Sequence, residues 1–117
     1  MIIFARTFDL LKWLLERCEK FPKSQRFVVT QRLQGALLDF NEAIYEANAR
    51  NGPRRVERLE AADAALNKIR SYLRLAHDLD WLTAGQLQHV SVMVAEVGAL
   101  LGGWLKQSRR DPSRSLS

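Results

Sequence analysis

Apolar residues recur along this chain at alternating intervals of three and four, the spacing that lays side chains along one face of an α-helix. The first such helix runs from about Phe4 to Lys20, where Phe4, Phe8, Leu11, Leu15 and Cys18 form one stripe. Ile3, Leu10, Leu14 and Phe21 form a second stripe on another side. One stripe suffices for the core of a bundle, so the second predicts a surface that meets a partner. Phe21-Pro22-Lys23-Ser24 breaks the pattern, because a residue before proline avoids the helical region. Ser24 is then the predicted cap of a second helix, about Ser24 to Ala49, with Thr30, Leu33, Leu37, Phe40, Ile44 and Ala47 as its stripe. In Asn51-Gly52-Pro53, Gly52 suits the left-handed residue that ends a helix and Pro53 suits the first turn of the next.

The third helix spans about Pro53 to Leu79, with Leu59, Ala62, Leu66, Ile69 and Leu73 facing the core. Ala61, Ala64, Ala65, Tyr72, Leu75 and Leu79 spread its apolar surface further round. Thr83 is a good cap for the fourth helix, about Thr83 to Gln107, lined by Leu87, Val90, Val94, Val97, Leu101 and Trp104. Beside that line runs a row of small residues, Ala95, Ala99 and Gly102, with Gly98 nearby; it suits tight packing within the bundle or a subunit interface equally. Four long amphipathic helices with short links predict an all-α, antiparallel up-down-up-down four-helix bundle over residues 1–107. The breadth of apolar surface on the first and third helices points to a homo-oligomer. Residues 108–117 are polar, carry Arg109, Arg110 and Arg114, and read as a frayed basic tail.

Composition narrows the function. The 117 residues are 47% hydrophobic and 26% charged, an ordinary globular balance for one domain. A single cysteine, Cys18, excludes an internal disulfide and a cysteine-based zinc site. The apolar start is too short for a signal peptide or a membrane span, so the chain reads as cytoplasmic with no membrane partner. Net charge is +5, and 13 of the 18 basic residues are arginine, which binds phosphate bidentately and stacks on bases. Solubility alone is the competing explanation of that excess.

Neither His77 nor His89 follows a glutamate at the spacing a ferritin-like metal site requires, so no metal or other cofactor is expected. No Ser-His-Asp order, glycine-rich phosphate loop or His-Glu-x-x-His motif occurs, and the chain reads as a binding protein without catalytic residues. One spacing keeps an enzymatic alternative open. Arg70 and His77, with six residues between them, resemble the Arg-x4-6-His element of HEPN-type ribonucleases, in which the histidine would move a proton and the arginine would steady a phosphate. Against it stands a plain helix-end histidine beside Asp78.

The basic residues fall into groups. Lys20, Lys23 and Arg26 surround the first loop; Arg50, Arg54, Arg55 and Arg58 surround the second; Arg70 and Arg74 pair on the third helix; Lys106, Arg109 and Arg110 end the fourth. In an antiparallel bundle the second and fourth groups meet at one end, near Arg6, where they make a candidate nucleic-acid surface diluted by Glu57, Glu60 and Asp63. Lys23, Arg26, Arg70 and Arg74 complete the set of expected nucleic-acid contacts.

Several segments together resemble a known family. They are Phe21-Pro22-Lys23-Ser24-Gln25-Arg26-Phe27, then Leu59-Glu60-Ala61-Ala62-Asp63-Ala64-Ala65-Leu66 followed by Ile69-Arg70 and Leu73-Arg74. In the fourth helix they are Leu82-Thr83, Gln86, Val94-Ala95-Glu96-Val97-Gly98, Leu101-Gly102 and Trp104. In this order they resemble the accessory variability determinant (Avd) proteins of diversity-generating retroelements, a family similar in fold to the proteins encoded in 23S rRNA intervening sequences. The resemblance covers about Phe4 to Lys106. It implies a barrel-like homopentamer of four-helix bundles that binds RNA and also DNA. It further implies association with the retroelement's reverse transcriptase in support of mutagenic cDNA synthesis. An intervening-sequence-type bundle with another partner is the alternative.

Overall fold

The computed structural model describes residues 1–110. Among these the chain forms α1 (Ile2–Cys18), α2 (Gln31–Asn48), α3 (Gly52–Asp78) and α4 (Ala84–Arg110). Each helix packs on the next in chain order, and α1 closes the ring against α4. This is the expected antiparallel four-helix bundle. The helix α4 continues through Arg110, past the boundary expected at residue 107; the rest of the expected tail, residues 111–117, lies outside the described residues.

The stripes on α2, α3 and α4 face inward as the periodicity predicts. Leu33, Leu37, Phe40 and Ile44 meet Leu59, Leu66, Ile69 and Leu73, with Val90, Val94, Val97 and Leu101 opposite. Burying a leucine, isoleucine or phenylalanine side chain contributes about 1.5–3 kcal/mol each, so this shared interior dominates stability.

The two stripes of α1 require a correction. The one expected to face a partner is buried: Ile3 is 2% exposed, Leu10 1%, Leu14 0% and Phe21 4%; the other is split, with Leu11 (8%) and Cys18 (4%) also in the core and Phe8 60% exposed. Phe4 and Leu15 are half-buried. Thr7 explains why the second stripe turns inward. It is buried between Ile3 and Leu10 and, with Cys18, completes the inward row Ile3-Thr7-Leu10-Leu14-Cys18-Phe21. A hydroxyl in the middle of that row makes it look shorter than the outward one.

The second helix also starts differently from expectation. Pro22 is extended (φ −55°, ψ 130°), and the Gln25 amide donates to its carbonyl at 3.0 Å, closing a 3-10 turn over Lys23–Gln25. A π-helical turn, Arg26–Thr30, follows before α2 proper. Ser24 lies inside the 3-10 turn, exposed, and its side chain caps nothing.

The other punctuation matches its chemistry. Gly52 has φ 58°, a conformation that costs other residues about 1–2 kcal/mol, and Pro53 sits in the first turn of α3. Thr83 and Gln86 form a reciprocal capping box. The Gln86 amide donates to Thr83 Oγ1 at 3.1 Å, and the Thr83 amide donates to Gln86 Oε1 at 2.9 Å. At the end of α3, Asp80 takes φ 63°, with Trp81 N donating to Ala76 O at 2.8 Å and Asp80 N to His77 O at 2.9 Å. That is a Schellman closure with aspartate in glycine's usual place.

Aromatic contacts show which loops share an end. Phe21 meets Trp81 with ring centroids 5.4 Å apart, joining the first loop to the α3–α4 turn. Phe4 meets Tyr45 at 4.7 Å and Trp104 at 6.1 Å, joining the start of α1 to the ends of α2 and α4.

Candidate nucleic-acid interface

The α2–α3 loop and the end of α4 bring Arg50, Arg54, Arg55, Arg58, Lys106, Arg109 and Arg110 to one end of the bundle, as the antiparallel topology predicts. What each guanidinium does there differs.

Arg55 belongs to the scaffold. It is half-buried, its Nε donates to the Ala47 carbonyl at 2.9 Å, and its guanidinium lies 5.9 Å from the Trp104 ring centre. It thereby adds a donor to a C-terminal carbonyl of α2 that the Arg50 amide also reaches, at 3.2 Å, and ties α2 and α3 to α4. Arg50 and Arg58 share Glu46, at 3.8 and 3.7 Å, and Arg58 also reaches Glu57 at 3.1 Å. Arg109 pairs with Glu60 at 2.7 Å across the α3–α4 interface. Near this end, Arg6 meets Glu96 at 2.6 Å. Glu57 and Glu60 pair as their positions suggest. Glu46 is the acid that sequence reasoning passed over, although its i, i+4 spacing to Arg50 was a usable signal.

Arg54, Lys106 and Arg110 are exposed and have no carboxylate within ion-pairing distance among the described residues. The paired arginines are also exposed enough to exchange partners, since surface ion pairs contribute only about 0–1 kcal/mol. This end can therefore offer three uncommitted cations and several exchangeable ones to a polyanion.

The remaining expected contacts lie elsewhere. Lys23 and Arg26 stand at the opposite end, beside the first loop. Arg70 and Arg74 line a groove of about 540 Å³ between α3 and α4, together with His77 and Ser91, over a floor that includes Leu73 and Val94. Arg70 donates to Asn67 Oδ1 at 2.9 Å. A Cβ on Gly98 would come within 2.7 Å of Arg70 Nη2, so this glycine makes room for a guanidinium. Gly102, by contrast, faces open space, and the small-residue row around it is not used for packing inside this bundle. Arg70 and His77 both line this groove, about two turns apart on α3, with Asp78 Oδ1 at 3.6 Å from His77 Nδ1. His89 lies against Trp13, ring centres 5.3 Å apart, away from that groove's lining.

Among the described residues no group of three or more histidine, cysteine or acidic side chains could hold a metal ion. No helix there is long and apolar enough to cross a membrane.

Comparison with known proteins agrees with this architecture. A protein of unknown function from the S23 ribosomal protein family of Bacteroides thetaiotaomicron superposes with a TM-score of 0.82. The match covers 90% of this chain and 96% of that one at 16% sequence identity, a likeness of fold. No curated protein matches the chain. The bAvd-like family matches residues 1–108, which takes in every helix of the bundle almost to the end of α4. A match of that extent, on a fold shared with the S23 structure, means that the chain belongs to the bAvd-like family.

Proposed function

We propose that this chain is a non-catalytic accessory protein of a diversity-generating retroelement. It binds template RNA and cDNA through its basic end and associates with the reverse transcriptase to support mutagenic cDNA synthesis. Membership of the bAvd-like family supports the setting. The observation that carries the binding is the convergence of Arg54, Lys106 and Arg110, without carboxylate partners among the described residues, on one rigid end of the bundle. The helices fix the backbone that carries these charges, so a docking strand orders side chains but no backbone. Assembly as a homopentamer in the cytoplasm would repeat the patch five times around a ring and add to its avidity.

Co-expression with a diversity-generating-retroelement reverse transcriptase from the same genome tests this reading. The two are expected to co-purify with RNA in one complex whose mass contains several copies of this chain. Separate elution, with neither RNA nor polymerase retained at low salt, would refute it.

A ribonuclease reading has one observation in its favour, that Arg70 and His77 both line the α3–α4 groove. Loss of an RNA-cleaving activity in purified His77→Ala protein would establish it.

A further inference from the structure

The segment Phe21-Pro22-Lys23-Ser24-Gln25-Arg26-Phe27 takes no part in the binding proposed above, because it lies at the end of the bundle away from the arginine cluster. Its last residue is the informative one. Phe27 is 80% exposed, more than any other large apolar side chain among the described residues, and Val28 beside it is also exposed. Among those residues its ring makes no aromatic or cation contact. Phe8, the next most exposed phenylalanine, differs: the Lys12 ammonium stands 5.2 Å from its ring centre.

One exposed apolar side chain is ordinary in itself. Two further observations set Phe27 apart. The first is the winding that exposes it. The buried row Leu37, Leu33 and Thr30 of the second helical segment, continued back by three residues in α-helical winding, would reach Phe27. The π turn over Arg26–Thr30 adds one residue to that winding and swings the ring outward. Single π turns of this kind recur at functional sites.

The second is charge. From Lys20 to Leu38 the chain carries no acidic residue. Lys20, Lys23 and Arg26 are exposed and make no ion pair among the described residues. Lys23 and Arg26 line one cavity, and positions three apart eclipse in a 3-10 turn, so these two cations stand together with Phe27 the next residue round. Glu19 lines the same cavity and pairs with neither of them.

A bare aromatic face beside two uncommitted cations matches a strand in which planar bases alternate with phosphates. An acidic peptide would satisfy the cations and leave the ring in water. An apolar protein surface would cover the ring and bury the cations without partners, which is costly. We infer that Phe27 is a stacking platform for a base of single-stranded nucleic acid, with Lys23 and Arg26 holding the adjoining phosphates. This rests on the nucleic-acid reading above and adds to it a second contact, at the opposite end of the bundle, that takes hold of bases as well as charge.

The test measures binding of the full chain to a labelled single-stranded oligoadenylate and to an abasic strand of the same length and charge. Phe27→Leu keeps the apolar bulk and removes the aromatic face. It should weaken oligoadenylate binding about tenfold, leave the abasic strand's affinity as it is and keep the slope against salt. Phe27→Trp should retain the affinity, and the new indole should lose fluorescence when the oligoadenylate binds. Replacing Lys23 and Arg26 together with glutamine should lower the salt slope by about 1 on both strands. All these side chains are exposed, so each variant should melt with the parent protein.

A Phe27→Leu protein that binds oligoadenylate like the parent overturns the platform. An equal loss on the abasic strand overturns the stacking role. Phe27→Ala that lowers the mass of the free assembly, with Phe27→Leu restoring it, makes the ring a contact between copies and also overturns the inference. RNA binding that depends on Arg54, Lys106 and Arg110 but not on Phe27 sinks the platform and spares the proposed function; dependence on Phe27 and not on those three does the reverse.

Discussion

Removing Arg54, Lys106 and Arg110 together, each to glutamine, addresses the nucleic-acid surface directly. None of the three holds a carboxylate among the described residues, so their loss leaves the known ion pairs of the bundle intact. Melting should stay within about 0.5 kcal/mol of the parent protein. Binding should change much more. Each cation that neutralises a phosphate of a single strand contributes about 0.7 to the slope of log affinity against log salt. At about 0.1 M salt that amounts to about 1 kcal/mol per contact. Three lost contacts reduce the slope by about 2 and the affinity about a hundredfold. Fluorescence anisotropy of a labelled single-stranded RNA, read between about 50 and 200 mM salt, measures both quantities. Arg32→Gln, near the opposite end of the bundle, should leave the slope as it is. A triple variant with the parent's slope and affinity would show that RNA does not use this end of the molecule.

Arg55→Ala should behave in the opposite way from Arg54. It removes the hydrogen bond to Ala47 O and the contact over Trp104, and should cost about 1–3 kcal/mol in chemical denaturation. Gly52→Ala should cost about 1–2 kcal/mol by the same measurement, because φ 58° is strained for any residue with a Cβ. Thr83→Ala breaks the capping box and should cost about 0.5–2 kcal/mol. For Cys18 burial pushes the folded thiol up to about 11, above its ordinary value of 9.0, so the folded state keeps its proton where the unfolded state has lost it. Stability from this group is therefore complete below about pH 9 and declines as pH rises toward 11; Cys18→Ala should flatten that decline in unfolding curves taken across the range. At neutral pH the buried thiol should react slowly with disulfide reagents until the chain unfolds.

The spacing of apolar residues was enough, by itself, to determine that this chain makes four helices, where they break, and which faces of α2, α3 and α4 turn inward. Helix periodicity is local, and so are the proline, the glycine of positive φ and the capping threonine that punctuate it. From the topology it also followed that the second loop and the end of α4 would share one basic end. Tertiary structure decided the rest. Thr7 let the shorter-looking stripe of α1 become the core, because burial depends on what the opposite helices offer rather than on the polarity of one position. Pro22 moved the start of the second helix into a 3-10 and a π turn, which left Ser24 exposed and capping nothing. Which arginines remain uncommitted was legible only in part, through the i, i+4 spacing of Glu46 to Arg50 and the nearness of Glu57 and Glu60. Glu46 is shared by Arg50 and Arg58, Arg109 reaches Glu60 on another helix, and Arg55 is drawn onto Trp104. Charge is counted along the chain, but its availability is set by distances between side chains that only packing brings together.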